Sequence, residues 1–161
     1  MHSIQGKTQA AKKARILITA LVDCAKAGIK SSYPMNKMLW GIATYLETGS
    51  FQRENWRTYE RASDAAKLIR ASGDENWKSR VTFEHVRPLN QMYRMFLDER
   101  ATLTLERAAF IIGEYPPVLV TIEEDLRMAE RGFRHDGLPH ERYAEVPISG
   151  FSLRPDHTLP P

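Results

Sequence analysis

The feature that most constrains the fold is an apolar stripe with helical spacing in the first third of the chain. Its members recur at i, i+3, i+4, i+7, i+8 and i+11, as one face of an α-helix requires: Met35, Met38, Leu39, Ile42, Ala43 and Leu46. Pro34 is tolerated in the first turn of a helix, and Gly49 suits the residue that follows its last turn. The pattern therefore predicts an amphipathic helix from about Pro34 to Gly49.

Two further helices are predicted on either side of this one. The first covers about residues 8–27 and ends at Gly28, with apolar positions at Leu17, Leu21 and Cys24 and, beside them, Ile18, Val22 and Ala25. The other runs from about residue 52 to residue 71, where Gly73 stops it, and its apolar face is weaker: Trp56, Tyr59, Ala62, Ala66 and Ile69. Three consecutive amphipathic helices predict a helical bundle over residues 1–73.

The pattern changes in residues 74–132. Val81 and Phe83 alternate with polar residues, which predicts a short strand near residues 80–86, and residues 118–121 predict a second one. Helices are predicted from Pro88 onward, over residues 104–113, and from a capping box of Thr121 and Glu124 to about residue 130. Because two strands alone are marginal, they are expected to pair with each other and to lie on a helix.

The expected architecture is a single domain of 161 residues in the mainly α (α+β) class. An N-terminal helical bundle (1–73) is followed by a mixed segment with a two-stranded β element and further helices (74–132). Residues 133–161 are expected to form a loop-rich, extended C-terminal arm, because five of the nine prolines lie at or beyond residue 139.

Charge and cysteine usage restrict the setting. The chain has 23 basic and 20 acidic residues, for a net charge of +3, which permits contact with nucleic acid without demanding it. Cys24 is the only cysteine, so the sequence predicts no intrachain disulfide and a reducing, cytoplasmic location. The basic N-terminus before residues 16–22 resembles a signal peptide only in part, and no run approaches 18 apolar residues, so no membrane contact is expected.

An acidic residue and a histidine stand side by side at the end of the first predicted strand. Residues 84–89 read Glu-His-Val-Arg-Pro-Leu, and this hexapeptide resembles the first third of the motif of metal-dependent HNH-class nucleases. The resemblance implies that His85 is a general base and that Glu84 ligates or orients a divalent cation. It covers six residues, and the later Asn and His of that motif have no counterpart at the family's spacing. The other interpretation is a structural histidine at a strand–helix junction.

A cluster rich in Arg, His and aromatic residues spans residues 131–143. Tertiary folding would have to bring His135, Asp136 or His140 beside His85 to complete a metal site, and no metal ligand set is predicted from spacing alone. Arg134, Arg142 and Tyr143 are predicted to contact a partner through phosphate or ring interactions. The alternative is a solvated loop whose Arg and Tyr side chains pack over the core.

The third predicted helix carries a basic outer face. Arg53, Arg57 and Arg61 are spaced by four and would form one ridge, and Lys67 and Arg70 continue the face. This ridge is predicted to contact an acidic or nucleic-acid partner. The acids that alternate with it, Glu54, Glu60 and Asp64, make a solvated surface the alternative.

These features favour a binding function over catalysis. The expected protein is a small cytoplasmic accessory protein of a bacterium, phage or mobile element, of the regulator or inhibitor type, which binds a protein or nucleoprotein partner without a cofactor. At least one of the three tryptophans is expected to be partly exposed, as at protein interfaces, and Trp40 lies one place off the apolar stripe. The alternatives are an HNH-like nuclease that uses Glu84 and His85 with a divalent metal, and an oligomer-forming domain with the Met- and Trp-rich helix as its contact face.

Overall fold

A computed structural model describes residues 1–134, 136–151 and 153 of the chain. Helix α1 (Gln9–Lys26) is capped by the hydroxyl of Thr8, which accepts a hydrogen bond from the amide of Ala11. Helix α2 (Tyr33–Thr48) carries Pro34 in its first turn and ends at Gly49, whose φ of 72° places it in the left-handed region. The two helices predicted at the N-terminus are therefore confirmed.

The first hydrophobic core lies between α1, α2, α4 (Leu89–Asp98) and α5 (Leu105–Gly113). The α2 stripe supplies Met35, Leu39, Ile42, Ala43 and Leu46, all buried, whereas α1 buries Ile18, Leu21, Val22 and Ala25. Leu17 and Cys24, predicted on the main face of α1, are only partly buried. The buried face of α1 therefore includes Ile18, Val22 and Ala25, which the sequence pattern placed beside the predicted apolar face.

The predicted strands pair with each other. Strand β1 (Val81–Glu84) runs antiparallel to β2 (Val118–Thr121), with Val81 opposite Thr121 and Glu84 opposite Val118. Alternating side chains of the strands pack into two further cores. In the second core, Phe83 and Leu119 pack with Trp56 and Trp77. In the third core, Val118 and Val120 pack with residues nearer the C-terminus: Met128, Val146 and Ile148. The sheet therefore separates two apolar clusters.

The predicted capping box organises the end of the sheet. Thr121 caps α6 (Ile122–Glu130), and its backbone amide donates to the carboxylate of Glu124 at 2.8 Å. The same carboxylate oxygen accepts a bond of 2.6 Å from the hydroxyl of Ser63, which caps α3 (Asp64–Ala71). One buried carboxylate thus joins two helix N-termini to the strand.

The prediction of one helix over residues 52–71 is wrong. A 3₁₀ segment (Arg53–Thr58) is followed by extended backbone, and α3 begins only at Asp64. Between them the chain pairs with β2, because Leu119 donates to the carbonyl of Arg61 and accepts from the amide of Ser63, at 2.8 and 2.9 Å. Tertiary pairing with the sheet outweighs the local helical pattern here.

The mainly α (α+β) class is confirmed. Within the segment predicted as a loop-rich arm, residues Pro139–Glu145 form a further helix, α7, followed by buried Val146 and Ile148. Residues 152 and 154–161 of the predicted arm lie outside the described residues. Among the described residues, no helix combines the length and hydropathy needed to cross a bilayer.

We predict that Leu39→Ala destabilises the protein by about 2–5 kcal/mol, because it opens a cavity in the first core. Leu39 is 0% exposed, whereas Leu68 on α3 is 73% exposed. The matched control, Leu68→Ala, should change the free energy of unfolding by less than about 0.5 kcal/mol. Urea denaturation of both variants tests this, and equal losses would contradict the core assignment.

Candidate functional site

The acid–histidine pair lies where β1 gives way to α4. The strand ends at Glu84, as a shared site for the pair requires, and Pro88 stands immediately before the first residue of α4. Both side chains are inside the molecule, since Glu84 is 4% exposed and His85 is 8% exposed. A buried carboxylate beside a buried imidazole needs compensating contacts, and most of these come from α7.

Arg142 and Tyr143 of α7 occupy both oxygens of the Glu84 carboxylate. The Arg142 guanidinium forms a buried ion pair with Oε1, and the Tyr143 hydroxyl donates to Oε2 at 2.9 Å. Another nitrogen of Arg142 donates to the backbone carbonyls of His85 and Val86, each at 2.7 Å. Arg142 is only 2% exposed, so it acts as an internal clamp.

Burial sets the protonation of this group of residues. It raises the pKa of Glu84 above its ordinary value, against the opposing effects of the Arg142 charge and the Tyr143 hydrogen bond. Burial and, to a smaller extent, the nearby Arg142 charge together lower the pKa of His85 to about 3. Burial and the neighbouring Glu84 raise the pKa of Tyr143, which therefore remains a hydroxyl donor. The imidazole of His85 is consequently uncharged near neutral pH.

A pocket of about 240 Å³ adjoins this pair, and we call it the His85 pocket. Its wall comes from α2, the β1–α4 junction, Arg134 and α7. Three buried side-chain atoms of its lining residues have no hydrogen-bond partner among the described residues: His85 Nε2, Asn90 Oδ1 and Arg142 Nε. Buried polar atoms are nearly always paired in native proteins, so this group of atoms marks the pocket as a candidate binding site.

The mouth of the His85 pocket combines aromatic and cationic side chains. Trp40 is half-buried and its ring centroid lies 5.9 Å from that of fully buried Trp56. Lys37 and Arg134 are exposed, and the Lys37 ammonium lies 5.4 Å from the centroid of the Tyr33 ring. Glu84 balances the charge of Arg142. Arg134 forms a surface ion pair of 4.0 Å with Asp125, which does not line the pocket. The mouth therefore keeps only a modest excess of positive charge, from Lys37 and the exposed Arg134.

The predicted basic ridge is not formed, because the helix that would carry it is interrupted by extended backbone between Arg57 and Arg61. Arg57 lies over the Trp77 ring at 5.8 Å and Arg61 over the Phe151 ring at 5.5 Å. Arg70 donates to the carbonyls of Trp56 and Tyr59 at 2.8 and 2.6 Å, so its guanidinium supports the fold. The side chain of Arg53 lies outside the described part of the chain.

The predicted cluster at residues 131–143 has some of its side chains inside the protein and others at the surface. Arg142 and Tyr143 were predicted to face a partner, but they hold Glu84 instead, and Arg142 is buried. Arg134 is exposed at the pocket mouth, 4.0 Å from the carboxylate of Asp125, and its contact with a partner stays a prediction. His140 is exposed, and His135 lies outside the described residues.

The metal site that the hexapeptide implies does not fit the residues present. Both oxygens of Glu84 are engaged by protein donors, and Asp136 is exposed and accepts from Gln91 at 3.1 Å. Within residues 1–134, 136–151 and 153, no three or more His, Cys, Asp or Glu side chains are grouped to hold a metal ion.

Sequence reasoning missed four residues of the pocket wall on α2 and α4: Tyr33, Asn36, Lys37 and Asn90. Lys37 and Tyr33 are ordinary surface residues in a helical pattern, and Asn90 follows the hexapeptide without belonging to a known spacing. Among the lining residues of α2, Trp40 gave a signal, because it falls one place off the α2 stripe. Its half-buried position confirms the expectation that one tryptophan is partly exposed.

No family model, curated protein or solved structure matches this chain. Function is therefore inferred from the geometry and chemistry of the site.

We predict that Arg142→Met lowers the free energy of unfolding by about 3–5 kcal/mol, because it leaves the Glu84 carboxylate buried without its cation. Glu84→Gln combined with Arg142→Met should recover part of this loss. Arg134→Met, at an exposed position, is the matched control and should cost under about 0.5 kcal/mol. Chemical denaturation measures all three, and equal stabilities of the two single variants would rule out the clamp.

A second prediction concerns acid stability. The pKa of His85 falls from 6.5 to about 3 on folding, so its contribution is present above pH 6.5 and is lost as the pH falls toward 3. The free energy of unfolding should therefore decrease below pH 6.5, by up to about 1.4 kcal/mol per pH unit. The raised pKa of Glu84 changes the free energy of unfolding in the opposite direction. Its stabilising contribution is present below pH 4.5 and is lost as the pH rises.

The variant His85→Leu separates the two effects, because Glu84 remains in both proteins. As the pH is lowered, the free energy of unfolding of this variant should decrease less steeply than that of the wild type. His140→Leu, at an exposed position, should retain the wild-type slope. Denaturant titrations between pH 4 and pH 8 would refute the assignment if His85→Leu and wild type had the same slope.

Proposed function

We propose that this protein acts by binding a partner and not by catalysis, as a small cytoplasmic accessory protein of the regulator or inhibitor type. The observation that carries the proposal is the His85 pocket, with an aromatic and cationic mouth. A free, half-buried Cys24 is consistent with a reducing compartment. The partner is a protein or a nucleoprotein that presents an acidic group.

The pocket mouth has the composition of a binding surface. Tyr33, Lys37 and Trp40 follow one another at i, i+4 and i+7, so they share one face of α2. Tyr33 is 72% exposed, which is unusual for a large aromatic side chain without a partner. Tyr, Trp and Arg are enriched in protein interfaces and carry much of their binding energy. Arg134 adds the arginine, and its charge favours an acidic partner.

The alternative function is an HNH-like nuclease that uses Glu84 and His85. Two contacts weigh against it: Arg142 neutralises the carboxylate, and Tyr143 occupies its second oxygen. A base with a pKa of about 3 takes a proton from water poorly, because effective general bases have pKa values near the working pH. Both observations support a structural role for the pair.

The binding function is tested by affinity capture from a bacterial lysate. We expect the wild type to retain a defined species that Tyr33→Ala/Lys37→Ala loses. Lys12→Ala/Ile16→Ala is the matched control, since it changes an exposed lysine and an exposed apolar residue spaced by four on α1. Capture that is equal for all three proteins would exclude the pocket mouth as the binding surface, and capture of the chain itself would indicate a homo-oligomer.

The nuclease alternative has its own test. Wild type and His85→Ala are incubated with plasmid DNA, single-stranded DNA and RNA in Mg²⁺ or Mn²⁺, and calorimetry measures metal binding. We expect neither cleavage nor saturable metal binding. Metal-dependent cleavage that His85→Ala abolishes would establish the nuclease and refute the binding proposal.

A further inference from the structure

We infer that the His85 pocket binds a single nucleotide, with the base against Trp40 and the phosphate at Lys37 and Arg134. The inference rests on the proposed function, because it names the chemical group that the same pocket would accept. Three features of the pocket carry it: unpaired polar atoms, an aromatic wall and a cationic mouth.

Three lining residues each carry a buried polar atom without a hydrogen-bond partner, and together these atoms offer donors and acceptors to a ligand that reaches them. The uncharged His85 imidazole offers one or the other at Nε2, the Asn90 amide oxygen accepts, and Arg142 Nε donates. A purely apolar ring would leave these atoms unpaired. The edge of a nucleobase carries donors and acceptors on neighbouring atoms, so it matches this combination better.

The aromatic wall provides a surface for the face of a base. Trp40 is half-buried at the pocket, and its contact with buried Trp56 holds the indole in place. Pro88 and Leu89 add apolar surface to the same wall. Proteins commonly bind single nucleotides and unpaired bases by stacking them on such side chains.

The charge and size of the pocket fit one phosphorylated unit. Lys37 and Arg134 are exposed cations at the mouth, whereas the charge of Arg142 is balanced by Glu84. The Arg134 guanidinium lies 4.0 Å from the carboxylate of Asp125 in a surface ion pair, which contributes little and leaves the side chain able to bind a phosphate together with Lys37. A volume of about 240 Å³ lies below the usual range for drug-sized ligands, so the base enters while the phosphate stays at the mouth.

Tryptophan fluorescence of the full chain tests the inference, because Trp40 lines the pocket whereas Trp56 and Trp77 are buried. The probes are AMP, GMP, CMP and UMP, and the controls are the corresponding nucleosides, ribose 5-phosphate and inorganic phosphate. At least one mononucleotide should give a saturable change, and binding of its nucleoside and of ribose 5-phosphate should be about tenfold weaker or more.

Variants assign the binding to the pocket. Lys37→Ala/Arg134→Ala should weaken mononucleotide binding at least about tenfold, whereas Lys12→Ala/Arg15→Ala, two exposed cations on α1, should leave it unchanged. Because removal of Trp40 also removes the probe, calorimetry measures binding to Trp40→Ala, and a similar loss is expected. Asn90→Ala tests the base contact separately.

The source of the nucleotide is decided by a 5′-phosphorylated single-stranded tetranucleotide. Binding about tenfold tighter than that of the mononucleotide assigns the pocket to a strand end, and equal binding assigns it to the free nucleotide. Failure of all four mononucleotides to saturate up to about 1 mM overturns the inference. So does binding that the Lys37/Arg134 variant retains in full. If lysate capture still depends on Tyr33 and Lys37, the proposed function survives that failure.

Discussion

One buried guanidinium, that of Arg142, joins the C-terminal helix α7 to the end of strand β1. It satisfies the carboxylate of Glu84 and the backbone carbonyls of His85 and Val86, where the strand has ended and α4 has not begun. Without Arg142, the Oε1 atom of Glu84 would lose its cationic partner and both carbonyls would lose the Arg142 donor, and leaving buried polar groups unpaired costs a large part of a protein's small net stability. Arg142 therefore helps to fix the position of α7, the path of the chain into α4 and the shape of the His85 pocket, together with Tyr143 and the apolar contacts of the third core. An ion pair of this kind contributes more to position than to net stability, because desolvation offsets most of its attraction.

Much of the fold follows from local rules. The α2 stripe, the Thr121 capping box and the alternation in β1 each specify an element through contacts within a few residues, and all three predictions are confirmed. Residues 52–71 show where such rules stop. The local pattern favours a helix there, but Ser63 pairs with Leu119 and donates to Glu124, 61 residues away along the chain. Periodicity carries no information about that distant partner. The same holds for α7, whose buried face is defined by Glu84 and the third core.

The candidate site was half predictable for a related reason. The sequence places Glu84 and His85 together at a strand end and requires the segment near residue 140 to approach them, and α7 does approach them. The residue that arrives, however, is an arginine and not a metal ligand. The Arg142 guanidinium neutralises the Glu84 carboxylate, and the His85 imidazole, buried beside the same guanidinium, loses its proton. The two residues that imply hydrolysis in an open site therefore form a wall without net charge here. Residue identity indicates the available chemistry, whereas burial decides which protonation state is present.

The His85 pocket lies between parts of the chain that are held by different cores. Trp40 and Lys37 come from α2, whose other face packs in the first core, whereas the backbone of His85 is fixed by Arg142 of α7, next to the third core. A ligand that touches both Trp40 and His85 therefore bridges these parts and stabilises their packing, because anything that binds only the folded state shifts the unfolding equilibrium. The unpaired atoms of the pocket wall also favour ligand binding. Their desolvation is already complete in the free protein, so a ligand that supplies their missing hydrogen bonds gains those bonds without a further desolvation cost on the protein side. Pre-organisation of this kind reduces the cost of binding a group that enters the pocket, whether that group is a free ligand or part of a larger partner.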